Sequence, residues 1–285
     1  MIKMFDLNPR ALELWDPSLQ AASADDEASI SLTGIVGDEW PYDDYAKPFT
    51  LARVDAALRA IGDKRVTVYI NSPGGSMFQG IAIMNRLNQH KAGVTTKVLG
   101  LAGSAASVVA MAGDRREISK VAFLFLHNSW SVLAGNRHEL RKTADALEQF
   151  DYAMRDLYAE TSGQDAALSE SWMDADSYFS GKSAVELGLM TGLLDDSEVS
   201  VNANAIQQDS PASRRIEAAL IKTGMPRSER RKLMSEYKAA LVPDTADHPP
   251  PQTDPEKEPY SSSLSDGLDQ IRATVLSMKA LNPAR

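Results

Sequence analysis

Gly100-Leu101-Ala102-Gly103-Ser104-Ala105-Ala106-Ser107-Val108-Val109-Ala110 is the stretch around which this chain is organised. An apolar, β-rich run ends just before it at Val98-Leu99, and small residues of good helix propensity follow Ser104. The pattern reads as a strand that turns into a helix, with Ser104 at the turn. A serine there suits a nucleophile, because the helix dipole and the first backbone N–H groups favour negative charge developing beside it. Taken alone, a Gly/Ala/Ser run is more simply a close-packed helix. Two other stretches shift the balance: Asn71-Ser72-Pro73-Gly74-Gly75 upstream and His127 downstream.

Working outward, strands and helices alternate. Strands are expected over 28–36, where Ile30, Leu32 and Val36 share a face, over 65–71, which is dense in β-branched residues, and over 95–99. Ser72-Pro73-Gly74-Gly75 is read as the break that ends the second of these. Helices are expected from Thr50, a good N-cap, to about Gly62, from Ser76 to about His90 on an apolar stripe of Met77, Ile81, Met84 and Leu87, and over 104–112. Further strands fall near 117–119 and 121–126. Such alternation implies an α/β protein with a mostly parallel sheet, whose ligands gather at strand C-termini.

Beyond the sheet, a long helix is expected over 137–159, charged on one side, which either packs on its own domain or extends to meet a second subunit. Shorter helices over 165–173 and 180–187 flank a loop at 174–179, and 189–194 supplies a last strand. Two more helices are read at 214–222 and 227–241, followed by a proline-rich acidic linker over 242–263 and an amphipathic helix over 264–281. The expected organisation is a flexible N-terminal arm at 1–27, small and acidic towards its end, an α/β body at 28–196, a helical extension at 197–241 and a tail at 242–285.

Composition narrows the function. A chain of 285 residues buries roughly 70–75% of its unfolded surface and needs no disulfide or metal to hold it. With no cysteine, thiol catalysis and cysteine-held zinc are excluded, which fits a reducing cytoplasm. A net charge of −9 argues against nonspecific nucleic-acid binding. Neither a signal peptide nor the roughly 18 apolar residues of a membrane span is legible.

Of the four histidines, only His127 stands at the end of an apolar strand, Phe123-Leu124-Phe125-Leu126. Alone it reads best as a core histidine; paired with a serine at another strand end it is a candidate general base. A third group would orient the imidazole, and Asp174 and Asp176 both lie in the right loop, undistinguished by spacing. The N–H groups of Gly75 and Ala105 would form a two-donor oxyanion hole, each donor worth ~2.7–4 kcal/mol in other enzymes.

Ile70-Asn71-Ser72-Pro73-Gly74-Gly75-Ser76, then Gly100-Leu101-Ala102-Gly103-Ser104-Ala105, His127, and Asp176-Ser177-Tyr178-Phe179-Ser180 followed by Ala184-Val185-Glu186-Leu187-Gly188-Leu189 resemble, in order, the Clp peptidase family. The resemblance implies Ser104 as nucleophile, His127 as base and Asp176 as its orienting partner, with Gly75 and Ala105 as oxyanion donors. It also implies a crotonase-like α/β spiral of β-β-α units with 137–159 as the handle helix, followed by a partly disordered helical tail. Heptameric rings stacked into a closed chamber, protein or peptide substrates and no cofactor or metal are further implications.

Some features depart from the cellular enzymes. Gly103, Ala105 and Ala106 stand where those usually carry Ala, Met and Gly, and Ser107 is an extra hydroxyl read as packing. The arm does not look like a loop for an ATP-driven AAA+ unfoldase. The tail from 197, including Gly224-Met225-Pro226-Arg227-Ser228-Glu229-Arg230-Arg231, is similar to that of phage and prophage head-maturation proteases, which trim scaffold and capsid protein in the host cytoplasm. Rival readings are a Clp proteolytic subunit fed by an unfoldase, a crotonase-type acyl-CoA enzyme, a Ser–Lys dyad peptidase and an inert assembly scaffold.

Overall fold

A computed structural model describes residues 8–16, 19–21, 28–37, 48–195, 197, 199–201 and 211–241. In chain order the first half holds α1 (Pro9–Leu14), β1 (Leu19–Ala21), β2 (Ser29–Val36), α2 (Leu51–Ile61), β3 (Val66–Gly75), α3 (Met77–Asn88), β4 (Val94–Gly103) and α4 (Ala105–Ala110). The expected cap at Thr50 is in place, its hydroxyl accepting from the Arg53 N–H at 3.3 Å, and the Ser76 hydroxyl caps the next helix by accepting from the Gln79 N–H at 3.5 Å. Strands β2, β3 and β4 pair in parallel, and α2, α3 and α4 pack on one face of the sheet over Val68, Ile70, Val98 and Ala102. The α/β architecture read from the alternation is the observed one.

Two strands run further than the sequence pattern implied. Instead of breaking at Ser72, β3 continues to Gly75, because register shifts between Ile70 and Ser72 on one edge and between Thr33 and Ile35 on the other absorb Pro73, which has no N–H to give the ladder. Likewise β4 does not stop at Leu99 but runs to Gly103 by changing neighbours. Its first part, Thr95–Val98, pairs with β5 (Arg115–Ile118), and Leu101–Gly103 pairs with β6 (Phe123–Leu126). The turn into α4 is therefore the single residue Ser104.

The second half contains α5 (Arg137–Ser162), α6 (Ala166–Asp174), β7 (Ser177–Ser180), α7 (Gly181–Glu186), β8 (Gly192–Leu193), β9 (Val199–Val201), α8 (Pro211–Lys222) and α9 (Arg227–Leu241). Asn136 and Glu139 form a capping box at the start of α5, whose only buried residues are Met154 and Tyr158. The loop expected at 174–179 carries β7, antiparallel to β6 with Leu126 opposite Ser177. Its short alternation explains the strand: Phe179 packs against the core while Tyr178 stacks on Phe125 at 4.2 Å between ring centroids.

The largest departure concerns the chain ends. In place of a free arm, α1 is capped by Asn8 and buries Ala11, Leu12 and Trp15 in a second core with Ile35, Leu101 and Phe125 from the sheet and Ala218, Ile221 and Met234 from α8 and α9. That sheet face is apolar and has to be covered. The chain divides into two units, Met1–Ala239 and Ala240–Arg285. Inside the first, the buried Arg230 and Glu217 face each other at 3.3 Å, each charge supplying the other's partner. The linker and helix expected over 242–281 lie outside the described residues. No helix among those described is long and apolar enough to cross a membrane.

Candidate active site

Ser104 bridges β4 and α4 at φ 52° and ψ −126°, left-handed backbone that a residue with a Cβ rarely adopts. The turn is held on every side. Its N–H donates to the Phe125 carbonyl at 2.9 Å, and its carbonyl accepts from the Ser107 N–H at 2.9 Å and the Ser107 hydroxyl at 2.6 Å. Although Ser104 is the N-cap of α4, its side chain makes no capping bond, so the hydroxyl is not spent on the helix. The end of β3 presses on this turn. A methyl group on Gly74, at φ +96°, would sit 2.6 Å from both the Gly103 carbonyl oxygen and the Ser104 Cβ.

The two expected oxyanion donors belong to the two elements that meet at this contact. Gly75 is the last residue of β3 and Ala105 the first of α4, and the space a Gly74 methyl would fill is 3.1 Å from the Ala105 nitrogen.

His127 directly follows β6, the strand that pairs with the end of β4. Ser104 and His127 thus stand at neighbouring strand ends. The imidazole Nδ1 lies 2.5 Å from the Asn128 carbonyl oxygen, which can only accept, so Nδ1 carries the proton and Nε2 the lone pair. That Nε2 is buried and has no hydrogen-bond partner, Ser104 included. Burial pushes the His127 pKa below the ordinary imidazole value, against the smaller opposing effects of the Asn128 carbonyl and the Asp176 charge. At neutral pH the ring is therefore an uncharged base.

Both candidate aspartates lie near the loop after β6, and neither is hydrogen-bonded to the ring. Asp176 precedes Ser177, the partner of Leu126, so the antiparallel register sets it across from His127. Its carboxylate is instead held by Arg10 of α1 at 2.8 Å. Asp174 accepts from the Asn128 side-chain amide at 2.8 Å, and Asp151 of α5 accepts from the Ser129 N–H at 2.6 Å. Burial raises the Asp151 pKa above the usual carboxylate range, the Ser129 bonds opposing it.

Sequence reasoning missed Asn128, Arg10 and Tyr158. Arg10 lies 166 positions from Asp176 and carried no signal, whereas Tyr158 falls one turn after Met154 on the apolar stripe of α5 and reads as core. Ser107, expected only to pack, hydrogen-bonds both the Ser104 carbonyl and Tyr158. No three His, Asp or Glu side chains among the described residues converge as metal ligands would.

A serine on a strained strand–helix turn beside an uncharged histidine is chemistry suited to acyl transfer. Comparisons with known proteins point to a peptidase family. The family model described as Clp protease matches residues 50–197. An ATP-dependent Clp protease proteolytic subunit of Ligilactobacillus salivarius (strain UCC118) is 31% identical over 134 residues, 46% of this chain and 68% of that protein. One from Chlorella vulgaris is 31% identical over 144 residues, covering 49% and 71%. Subunit 1 of Prochlorococcus marinus (strain MIT 9312) is 30% identical over 141 residues, covering 49% and 72%. With more than half its length matched to the family model, and the Ser104 turn and His127 inside that match, the chain belongs to the Clp protease family.

Proposed function

We propose that this protein is a serine endopeptidase in which Ser104 is the nucleophile, His127 the general base and Asp176 the group that orients it. The observation that carries the reading is the strained Ser104 turn at the strand end next to a buried His127 whose Nε2 lone pair is unengaged. The Ser104 hydroxyl attacks the scissile carbonyl while its proton passes to Nε2. The N–H groups of Gly75 and Ala105 receive the oxyanion. His127 then returns the proton to the leaving amine, and water hydrolyses the acyl-enzyme by the same route. For Asp176 to serve the imidazolium it has to leave Arg10 and replace the Asn128 carbonyl at Nδ1.

Substrates in this reading are proteins or peptides, processed by the body at 28–196. We place the protein in phage head maturation, trimming scaffold or capsid protein in the host cytoplasm. The layer that α1, α8 and α9 add to the sheet supports a body specialised beyond the core fold. The exposed first half of α5 suits a homo-oligomeric ring, a heptamer or stacked heptamers. The similarity to proteins named as ATP-dependent proteolytic subunits favours a second biology, delivery of substrate by an AAA+ unfoldase.

The test is labelling by a fluorophosphonate followed by peptide mass mapping, with peptidase assays beside it. An adduct on Ser104, and loss of about 10⁶-fold in kcat for Ser104→Ala by analogy with other serine peptidases, is expected. Equal activity of that variant would overturn the assignment. Protein degradation that requires an unfoldase and ATP would favour the second biology.

A further inference from the structure

The Ser104 conformation costs roughly 1–3 kcal/mol and persists only where its surroundings over-determine it. Here the surroundings include a short line of hydroxyl groups. Ser107 Oγ lies 2.6 Å from the Ser104 carbonyl oxygen and gives that acceptor its single proton. The 2.8 Å contact between Ser107 Oγ and the Tyr158 hydroxyl must then run the other way, with Tyr158 donating. Ser107 is wholly buried and Tyr158 is 3% exposed, so water cannot stand in for either partner.

We propose that Ser107 and Tyr158 are positioning residues for the nucleophile: the phenol fixes the Ser107 hydroxyl, which clamps the Ser104 carbonyl and keeps the turn aimed. The inference rests on Ser104 being the nucleophile. Packing alone does not ask for these oxygens, since phenylalanine and alanine would fill nearly the same space. Burial pushes the Tyr158 pKa up to about 12, so the phenol keeps its proton, and its donor role, at any pH near neutral. Tyr158 is also one of the two buried residues of the 26-residue α5, so this helix has a direct hydrogen-bonded hold on the catalytic turn.

The experiment compares the full-length wild type with Tyr158→Phe, Ser107→Ala and the double variant. The readouts are the fluorophosphonate labelling rate at Ser104, kcat and KM on a fluorogenic peptide, and a thermal melt to normalise for folded protein. Expected is a fall of about tenfold in kcat and labelling rate for each single variant, the size of one lost hydrogen bond, with KM within about twofold. The double variant should be no slower than Ser107→Ala, because the two groups act as one line. Wild-type kcat and labelling in a folded Tyr158→Phe protein would overturn the inference, as would a loss confined to the melting temperature. Should Ser107→Ala fail to fold, Tyr158→Phe carries the test alone. A wild type with no adduct at Ser104 would defeat the peptidase reading itself, whereas an adduct with unchanged variants defeats only this inference.

Discussion

The two halves of the candidate site are built differently. The nucleophile half lies where β3, β4 and α4 meet, and the Ser104 turn is tied to Phe125, Ser107 and, through Ser107, to Tyr158, with Gly74 pressed against it. Every one of these ties is to the core. The acid–base half hangs from the loop after β6 and the loop before β7, and its groups are engaged elsewhere: His127 with the Asn128 carbonyl and Asp176 with Arg10. A strained backbone needs a rigid frame, while a proton relay needs only side chains free to change partners. The first half is therefore held rigid within the single chain, and in the function proposed above the second is completed by a change of partners.

This contrast can be broken most sharply at the aspartates. If Asp176 is the partner that His127 acquires, Asp176→Asn lowers kcat by about 10⁴-fold, as in other triads. Asp174→Asn, which keeps an oxygen for the Asn128 amide, should stay within about threefold of wild type. Steady-state kinetics on both variants decides: equal losses would overturn the choice of Asp176, and a larger loss in Asp174→Asn would assign the role to Asp174.

The rigid half is probed by Gly74→Ala. With a methyl 2.6 Å from the Ser104 Cβ and the positive φ at that position, the turn has to shift, and a displacement near 1 Å costs about 10²-fold in kcat. A Gly74→Ala enzyme of full activity would show that the turn is not held as tightly as its hydrogen bonds imply.

The smallest effect is expected at Arg10. Its ion pair with Asp176 is exposed on both sides and worth ~0–1 kcal/mol, so Arg10→Gln should raise kcat/KM by at most about fivefold, and added salt should do the same to the wild type. The pH profile sharpens the point. Because burial holds the His127 pKa below 6.5, the acid limb of wild-type activity lies below pH 6.5. Releasing Asp176 towards the ring favours the imidazolium and moves that limb upward in Arg10→Gln. The same depression sets a stability trend: the unfolded state binds the proton first, so the contribution of neutral His127 is present above pH 6.5 and lost as pH falls through its folded pKa. An acid limb unmoved by the substitution would mean that Arg10 does not hold Asp176 in reserve.

What was legible in the sequence was local or periodic. β-Branched runs, the cap at Thr50, the apolar stripe from Met77 and the small residues after Ser104 specify strands, helices and a turn through interactions within a few positions, so the alternating α/β order and the Ser104 turn could be read directly. His127 was legible because an apolar strand ends there. The extension of β3 through Pro73 and of β4 to Gly103 was not, since each depends on which strand lies alongside. Nor was the burial of α1: Ala11, Leu12 and Trp15 look like a short, weakly apolar stretch until Leu101, Phe125 and Met234 arrive from far along the chain to cover them. Sequence by itself determined which residues have the chemistry for the site. Only the tertiary structure decided their present partners, Asn128 for His127, Arg10 for Asp176 and Tyr158 for Ser107, because hydrogen-bond pairing is settled by distances that the fold creates.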